Sequence, residues 1–128
     1  MIDPGSLPAI LADVAGAGLL AVGALGVAFP TPLAHSFGVP LGDRSAVVFV
    51  RATGVRDLAL GAVLLAASLR GSGDVLLVAV IACLVISLAD FANAFFGGDR
   101  VLHRQHVVHV GGAALFAAIL ALLLQSLR

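Results

Sequence analysis

The sequence predicts an all-α protein, a four-helix transmembrane bundle running up-down-up-down through a lipid bilayer. Three observations predict it. The 128 residues are 61% hydrophobic and only 11% charged, with a mean hydropathy of +1.16, so they cannot supply the polar exterior a water-soluble domain needs. Four segments reach the roughly 20 helical residues that cross about 30 Å of hydrocarbon. Between them stand clusters of Pro and Gly, which punctuate helices.

Span one is predicted over Leu7–Phe29, and Pro30, Pro32 and Pro40 break the chain after it. Span two runs over Ala46–Leu69 and ends at the short turn Gly71-Ser72-Gly73. Span three covers Val75–Phe96 and span four Leu102–Leu124, with Gly97-Gly98-Asp99 between them. The two short turns make spans two to four successive antiparallel neighbours. Only the first connection, Pro30–Ser45, is long, and it is expected to be a loop. Both termini then share one side, here called side A, and the long loop lies on side B. Chain 1–128 is a single transmembrane domain. Small residues, Ala12, Gly16 and Gly23 in span one and Gly54 and Gly61 in span two, permit the close helix approach that membrane bundles rely on.

Charge and cysteine usage narrow the partners. The formal net charge is zero and the seven cations, all Arg, are dispersed; nucleic acid needs a cationic face and is not a partner. Membrane lipid is the expected surroundings, in an inner or plasma membrane of bacterial type, and a homo-oligomer is left open. Arg44, Arg100 and Arg104 on side B against Arg70 and Arg128 on side A lean toward a cytoplasmic side B. The single Cys83 lies in the apolar run of span three, so there is neither a disulfide framework nor a redox pair. Met1–Pro8 contains Asp3 and no Lys or Arg, a poor start for a signal peptide, so span one is expected to be retained.

Span two holds the anomaly. Leu58–Leu69 is too short to cross alone, so the helix must extend back through Asp57, Arg56 and Arg51. Counted from Leu69 at 1.5 Å per residue, Arg51 falls near the side-B boundary and Asp57 about 10 Å inside it. Asp90 and Asn93 in span three, and His106 and His109 in span four, fall in the same layer. Arg56 and Asp57 project about 100° apart, so each is expected to find its partner on another helix, Arg56 or Arg51 with Asp90 and Asp57 with an Arg or His. A charge at the bilayer centre costs at least ~2.5–3.5 kcal/mol on insertion scales, so such groups are paired, hydrated or functional. The layer is either an inert ion-pair network that fixes helix register or a solvated funnel that binds something. In the funnel reading Arg51, Asp57, Asp90, Asn93 and His109 line one cavity that Cys83 and Ile86 do not reach.

His103, His106 and His109 share a helix face. A His-x-x-His pair with Asp57 or Asp90 could supply three metal ligands, an imidazole beside a carboxylate could handle a proton, or His103 and His106 could sit among headgroups. No metal and no cofactor are assigned, since no established ligand or nucleotide motif is present. Asp13 reads as a hydrated boundary residue on side A.

The run Arg51-Ala-Thr-Gly54-Val-Arg56-Asp57-Leu-Ala-Leu-Gly61, with Phe37-Gly38-Val39-Pro40 before it and Asp90-Phe-Ala-Asn93 and His109-Val-Gly-Gly112 after it, resembles a domain-of-unknown-function family of small four-span membrane proteins. The layout is also similar to DoxX-like proteins. The resemblance covers nearly the whole chain and implies fold and membrane location. It further implies that Arg51, Gly54, Arg56, Asp57, Asp90, Asn93 and His109 form a shared polar core. It carries no activity with it. Small multidrug exporters need a Glu in their first span and this chain has none; the Glu-Arg and Arg-x-His-x-Asn patterns of glutathione-using membrane enzymes are missing as well.

The function these residues suggest is a membrane-embedded pocket for a small lipophilic molecule. Asp57, Asp90 and His109 are its candidate catalytic acids and bases, and Arg51, Arg56, Asn93 and His106 its candidate ligand-binding groups. Whether it is an enzyme is left open. Any reaction would be a non-redox isomerisation, cyclisation or hydration. The alternatives are a proton-coupled small-molecule transporter, which would need two-sided access, and a structural accessory subunit.

Overall fold

A computed structural model describes residues 1–36, 42, 44–96 and 104–126. They form five helices and, among the described residues, no strand: α1 (Leu7–Ala28), α2 (Pro30–Ser36), α3 (Arg44–Leu69), α4 (Gly73–Phe96) and α5 (Arg104–Ser126). Three segments, Leu7–Ala28, Gly73–Phe96 and His106–Ser126, are long and apolar enough to cross a membrane. α3 is the longest helix at 26 residues, about 39 Å, and it is the one that carries Arg51, Arg56 and Asp57 in its interior. The chain is therefore all-helical with membrane-spanning character, and the helices differ from the expected spans at their ends by only a few residues. The motif Phe37–Pro40, Gly97–Arg100, His103 and Arg128 lie outside the described residues.

The first connection corrects the sequence reading. Pro30–Ser36, expected as loop, is the helix α2. Pro30 and Pro32 fall in its first turn, where a fixed φ suits a helix and the missing N–H has no partner to lose. The break comes one residue earlier, at Phe29, whose backbone (φ −132°, ψ 59°) leaves the helical region.

α1 and α3 lie antiparallel and pack on small residues spaced seven apart. The Ser68 hydroxyl donates to the Ala9 carbonyl at 3.2 Å, and Gly16 faces Gly61 as Gly23 faces Gly54. A Cβ built on Gly61 would stand 2.6 Å from the Gly16 carbonyl oxygen, and one on Gly23 2.7 Å from that of Gly54. The two backbones are thus in contact, and the seven-residue step keeps one seam facing the partner along both helices.

α3 closes with a Schellman motif. Gly71 N–H donates to Ser68 O and Ser72 N–H to Ala67 O, both at 2.9 Å, with Gly71 at φ +63°. Ser72 then accepts the Leu76 N–H through its carbonyl and starts α4. The Ile2 N–H donates to Gly71 O at 3.0 Å, which straps the N-terminal residues to the α3–α4 turn.

α4 and α5 form the second antiparallel pair. The core joins the two pairs at the end holding the turn, where Ile2, Ala12, Leu64, Leu76, Val80, Ile119 and Leu123 pack together. The N-terminal residues, the α3–α4 turn and the C-terminal part of α5 therefore occupy one end of the bundle. Toward the other end the packing opens. α4 has five buried residues between Gly73 and Cys83 and none from Leu84 to Phe96.

Candidate functional site

The unpacked half of the bundle is a cavity of about 640 Å³ to which all five helices contribute, within the ~300–1,000 Å³ usual for small-molecule sites. Cys83 and Phe116 belong both to the core and to the cavity lining, so the packed half forms its floor. Its walls are apolar: Val14, Gly18, Leu19 and Val22 from α1, Leu33 and Ala34 from α2, and Leu115 from α5 among them. Val14 and Val108, which line it from α1 and α5, are 64% and 48% exposed. The cavity is thus open to its surroundings beside residues of α1 and α5, as it is beside Phe49 of α3.

One set of polar groups faces this space. Arg56, halfway along α3, spends both edges of its guanidinium on carboxylates. Nε and Nη2 donate to Asp57 Oδ1 at 3.2 and 3.0 Å, while Nη1 and Nη2 donate to Asp90 Oδ1 and Oδ2 at 3.2 and 2.9 Å. The second pair is the parallel two-bond fork that makes Arg–carboxylate contacts directional. It ties α3 to α4 in the half where the core does not. The side chains of Arg56, Asp57 and Asp90 are 35%, 13% and 24% exposed, so the group is largely enclosed.

This geometry corrects one expectation and realises another. Arg56 was expected to ignore its sequence neighbour and does not: its side chain is long enough to curl back over the 100° between them while its other edge reaches Asp90. The pairing of Arg56 with Asp90 is as expected. One guanidinium between two carboxylates leaves a formal charge of −1, and Asp57 Oδ2 has no hydrogen bond among the described residues.

The other expected residues separate into two groups. Asn93 and His109 line the cavity with Asp57 and Asp90, and His109 makes no hydrogen bond to any described residue. Arg51, expected in the cavity, is not among its lining residues, and neither is His106. Arg51 is exposed; it sits five residues before Arg56, about 140° around the helix, and so points out of the bundle. His106 is 1% exposed and presents its ring edge-on to Phe91 and Phe95 at 5.9 Å each, sealing α5 to α4. Among the described residues no three His, Cys, Asp or Glu side chains are placed to share a metal ion.

Cys83 and Ile86 do line the cavity, and the expectation that they would not is wrong. Depth alone had placed them below the polar layer. Helical periodicity puts Cys83, Ser87, Asp90 and Ala94 in one stripe on α4, stepping down from the carboxylate at three- and four-residue intervals. The same step from Asp57 leads back to Thr53 and on to Leu60, and all three line the space. Thr53 and Ser87 were missed in the sequence, and this periodicity would have found them.

Together these features define a small all-helical protein of membrane-spanning character, with an ion-paired polar cluster partway along an apolar cavity. Over residues 16–123 the chain matches the family model described as "Domain of unknown function (DUF4267)", and it belongs to that family. No curated protein and no solved structure matches it. The broader likeness to DoxX-like proteins has no counterpart among these matches.

Proposed function

We propose that this chain is a four-span integral membrane protein that binds a small lipophilic molecule in the cavity between its two helix pairs. The observation that carries the reading is the form of the site: a cavity of about 640 Å³, apolar along its length and polar at one position, with an opening beside α1 and α5. A molecule dissolved in the bilayer could enter that opening without crossing water. Its tail would lie along Val14, Leu19 and Leu115, and its functional group would meet Asp57, Asn93 and His109. His109 and the unbonded Asp57 oxygen are the groups available for proton transfer, which suits isomerisation, cyclisation or hydration. Arg56 is then a positioning residue, because four of its five N–H bonds are already committed to carboxylates.

The test is to fill the space. A Cβ on Gly18 would meet no atom within 4 Å, so Gly18→Phe projects a ring into the cavity without disturbing the packed seam. Mass spectrometry of organic extracts should find a lipophilic molecule retained in stoichiometric amount by the wild type and missing from Gly18→Phe. Equal extracts from the two proteins would overturn the pocket reading.

One observation favours the carrier alternative. Asp13 Oδ1, at the core end of α1, is buried with no hydrogen-bond partner among the described residues, as a second proton site would require. The packed core between Asp13 and the polar cluster counts against it, since it closes the path a carried molecule would take. Substrate flux measured from both sides of sealed vesicles separates the two readings: a carrier moves substrate, a pocket does not.

A further inference from the structure

We infer that the cavity selects amphiphiles with a cationic, hydrogen-bond-donating head, a long-chain amine in its protonated form being the simplest example. This rests on the pocket reading above and narrows it to one chemistry.

The argument is one of charge and of which hydrogen-bonding capacity is left over. Arg56 is the only cation among the described residues that faces the cavity, and both edges of its fork are taken by Asp57 and Asp90. An anionic ligand would meet two carboxylates for a single uncommitted N–H of Arg56, and could take the fork itself only by displacing a carboxylate and leaving it unpaired in an apolar setting, which is costly. Arg51, the other candidate for holding an anion, lies outside the cavity. What remains unused is acceptor capacity. The cluster is one negative charge in excess, Asp57 Oδ2 has no partner among the described residues, and Asn93 adds an amide oxygen to the lining of the same cavity. Two further titratable groups line the cavity: His109 can accept through its unprotonated ring nitrogen, and the Cys83 thiol, two turns along α4 from Asp90, adds no charge as a neutral thiol.

The apolar length beside the cluster sets the rest of the ligand. Val14, Gly18, Leu115 and Phe116 continue the cavity away from Asp57, so the head must carry a tail. A single positive charge at Asp57 makes the cluster neutral, and the ammonium is desolvated only where it meets carboxylate. A matched alcohol would keep the donor and lose the charge. A matched carboxylate would keep the tail and reverse the charge.

The experiment uses the full chain in nanodiscs of zwitterionic lipid and three probes of equal chain length: decylamine, decanol and decanoate. Binding is read as the rise in melting temperature, with the Gly18→Phe protein as the control for partition into lipid. Decylamine should stabilise the wild type by several degrees, with apparent affinity at least tenfold above decanol and decanoate, and should have no such effect on Gly18→Phe. Asp57→Asn, which leaves the Arg56–Asp90 fork in place, should remove the preference for the amine while still binding decanol. If decanol or decanoate binds the wild type as well as decylamine, and Gly18→Phe abolishes it, the pocket stands and the cationic selection is overturned. If none of the probes distinguishes wild type from Gly18→Phe, both readings fall. Should Asp57→Asn not fold, the ranking of the three probes on the wild type decides alone.

Discussion

Arg56 shows how much one side chain can settle inside an apolar bundle. It holds two carboxylates from two helices, so the three members of the cluster are unequal in what their loss does. Arg56→Leu leaves Asp57 and Asp90 facing each other without a cation, and should destabilise by about 3 kcal/mol, the low end for breaking a buried pair because the guanidinium is partly accessible. Asp90→Asn removes the charge and one of the two acceptors that tie α3 to α4 and should cost less. Asp57→Asn should cost least, because Arg56 keeps its two bonds to Asp90. Melting of the three variants in one detergent checks the order, and an Asp57→Asn protein less stable than Arg56→Leu would contradict it. Arg51→Ala, on the exposed face of α3, should stay within about 0.5 kcal/mol of wild type. The sequence makes the layer legible, since Asp57, Asp90, Asn93 and His109 all follow from counting residues back along apolar spans. It does not show that Arg51 and His106 fall outside the cavity lining, because a count gives depth, whereas orientation depends on how each helix is rotated about its axis.

At the scale of the element, the α1–α3 seam is the most tightly specified part of the fold. Gly16, Gly23, Gly54 and Gly61 are visible in the sequence as small residues suited to close approach. Their register, Ala9 to Ser68, Gly16 to Gly61 and Gly23 to Gly54, follows once the helices are laid antiparallel. Ser68 was not picked out in the sequence, although it stands seven residues beyond Gly61 and continues the same line. A methyl on Gly61 would press on the Gly16 carbonyl and one on Gly54 on the Gly23 carbonyl; backbone cannot yield as a flexible side chain does. Gly61→Ala and Gly54→Ala should each destabilise by about 1–3 kcal/mol, whereas Gly18→Ala, on the partner helix α1 and facing open space, should be neutral or slightly stabilising. Equal melting temperatures for Gly18→Ala and Gly61→Ala would show that the seam is looser than described. At the helix end, Gly71→Ala places a side chain at φ +63° with its Cβ 2.9 Å from the Ile2 carbonyl, so it should loosen both the turn and the N-terminal strap. α2 was not legible, because Pro30 and Pro32 look like breakers until the chain is seen to restart a helix at Pro30, and prolines serve a first turn well.

For the whole molecule, the number of crossings decides how the cavity meets the membrane, and composition alone leaves it ambiguous. Three helices are long and apolar enough to cross; if only those did, the two ends of the chain would fall on opposite sides. α3 is the fourth long helix, and three contacts support the proposal that it crosses with the others. The glycine seam holds it backbone to backbone against α1 over at least two heptads. The Ile2–Gly71 bond fixes its C-terminal turn at the level where α1 begins. Arg56 anchors its middle to Asp90 on α4, itself a candidate span. In the proposed four-span arrangement α3 would cross beside α1 and α4, with Arg56 and Asp57 turned inward and paired and Arg51, on the outward face, close enough to the end of the span to reach the headgroups. The expected outcome is an even number of crossings. Single-cysteine proteins Ser6→Cys and Gln125→Cys, on a Cys83→Ala background, should react with a membrane-impermeant maleimide from the same side of sealed vesicles. Labelling from opposite sides would mean that α3 does not cross, and the opening beside α1 and α5 would then lose its bilayer setting.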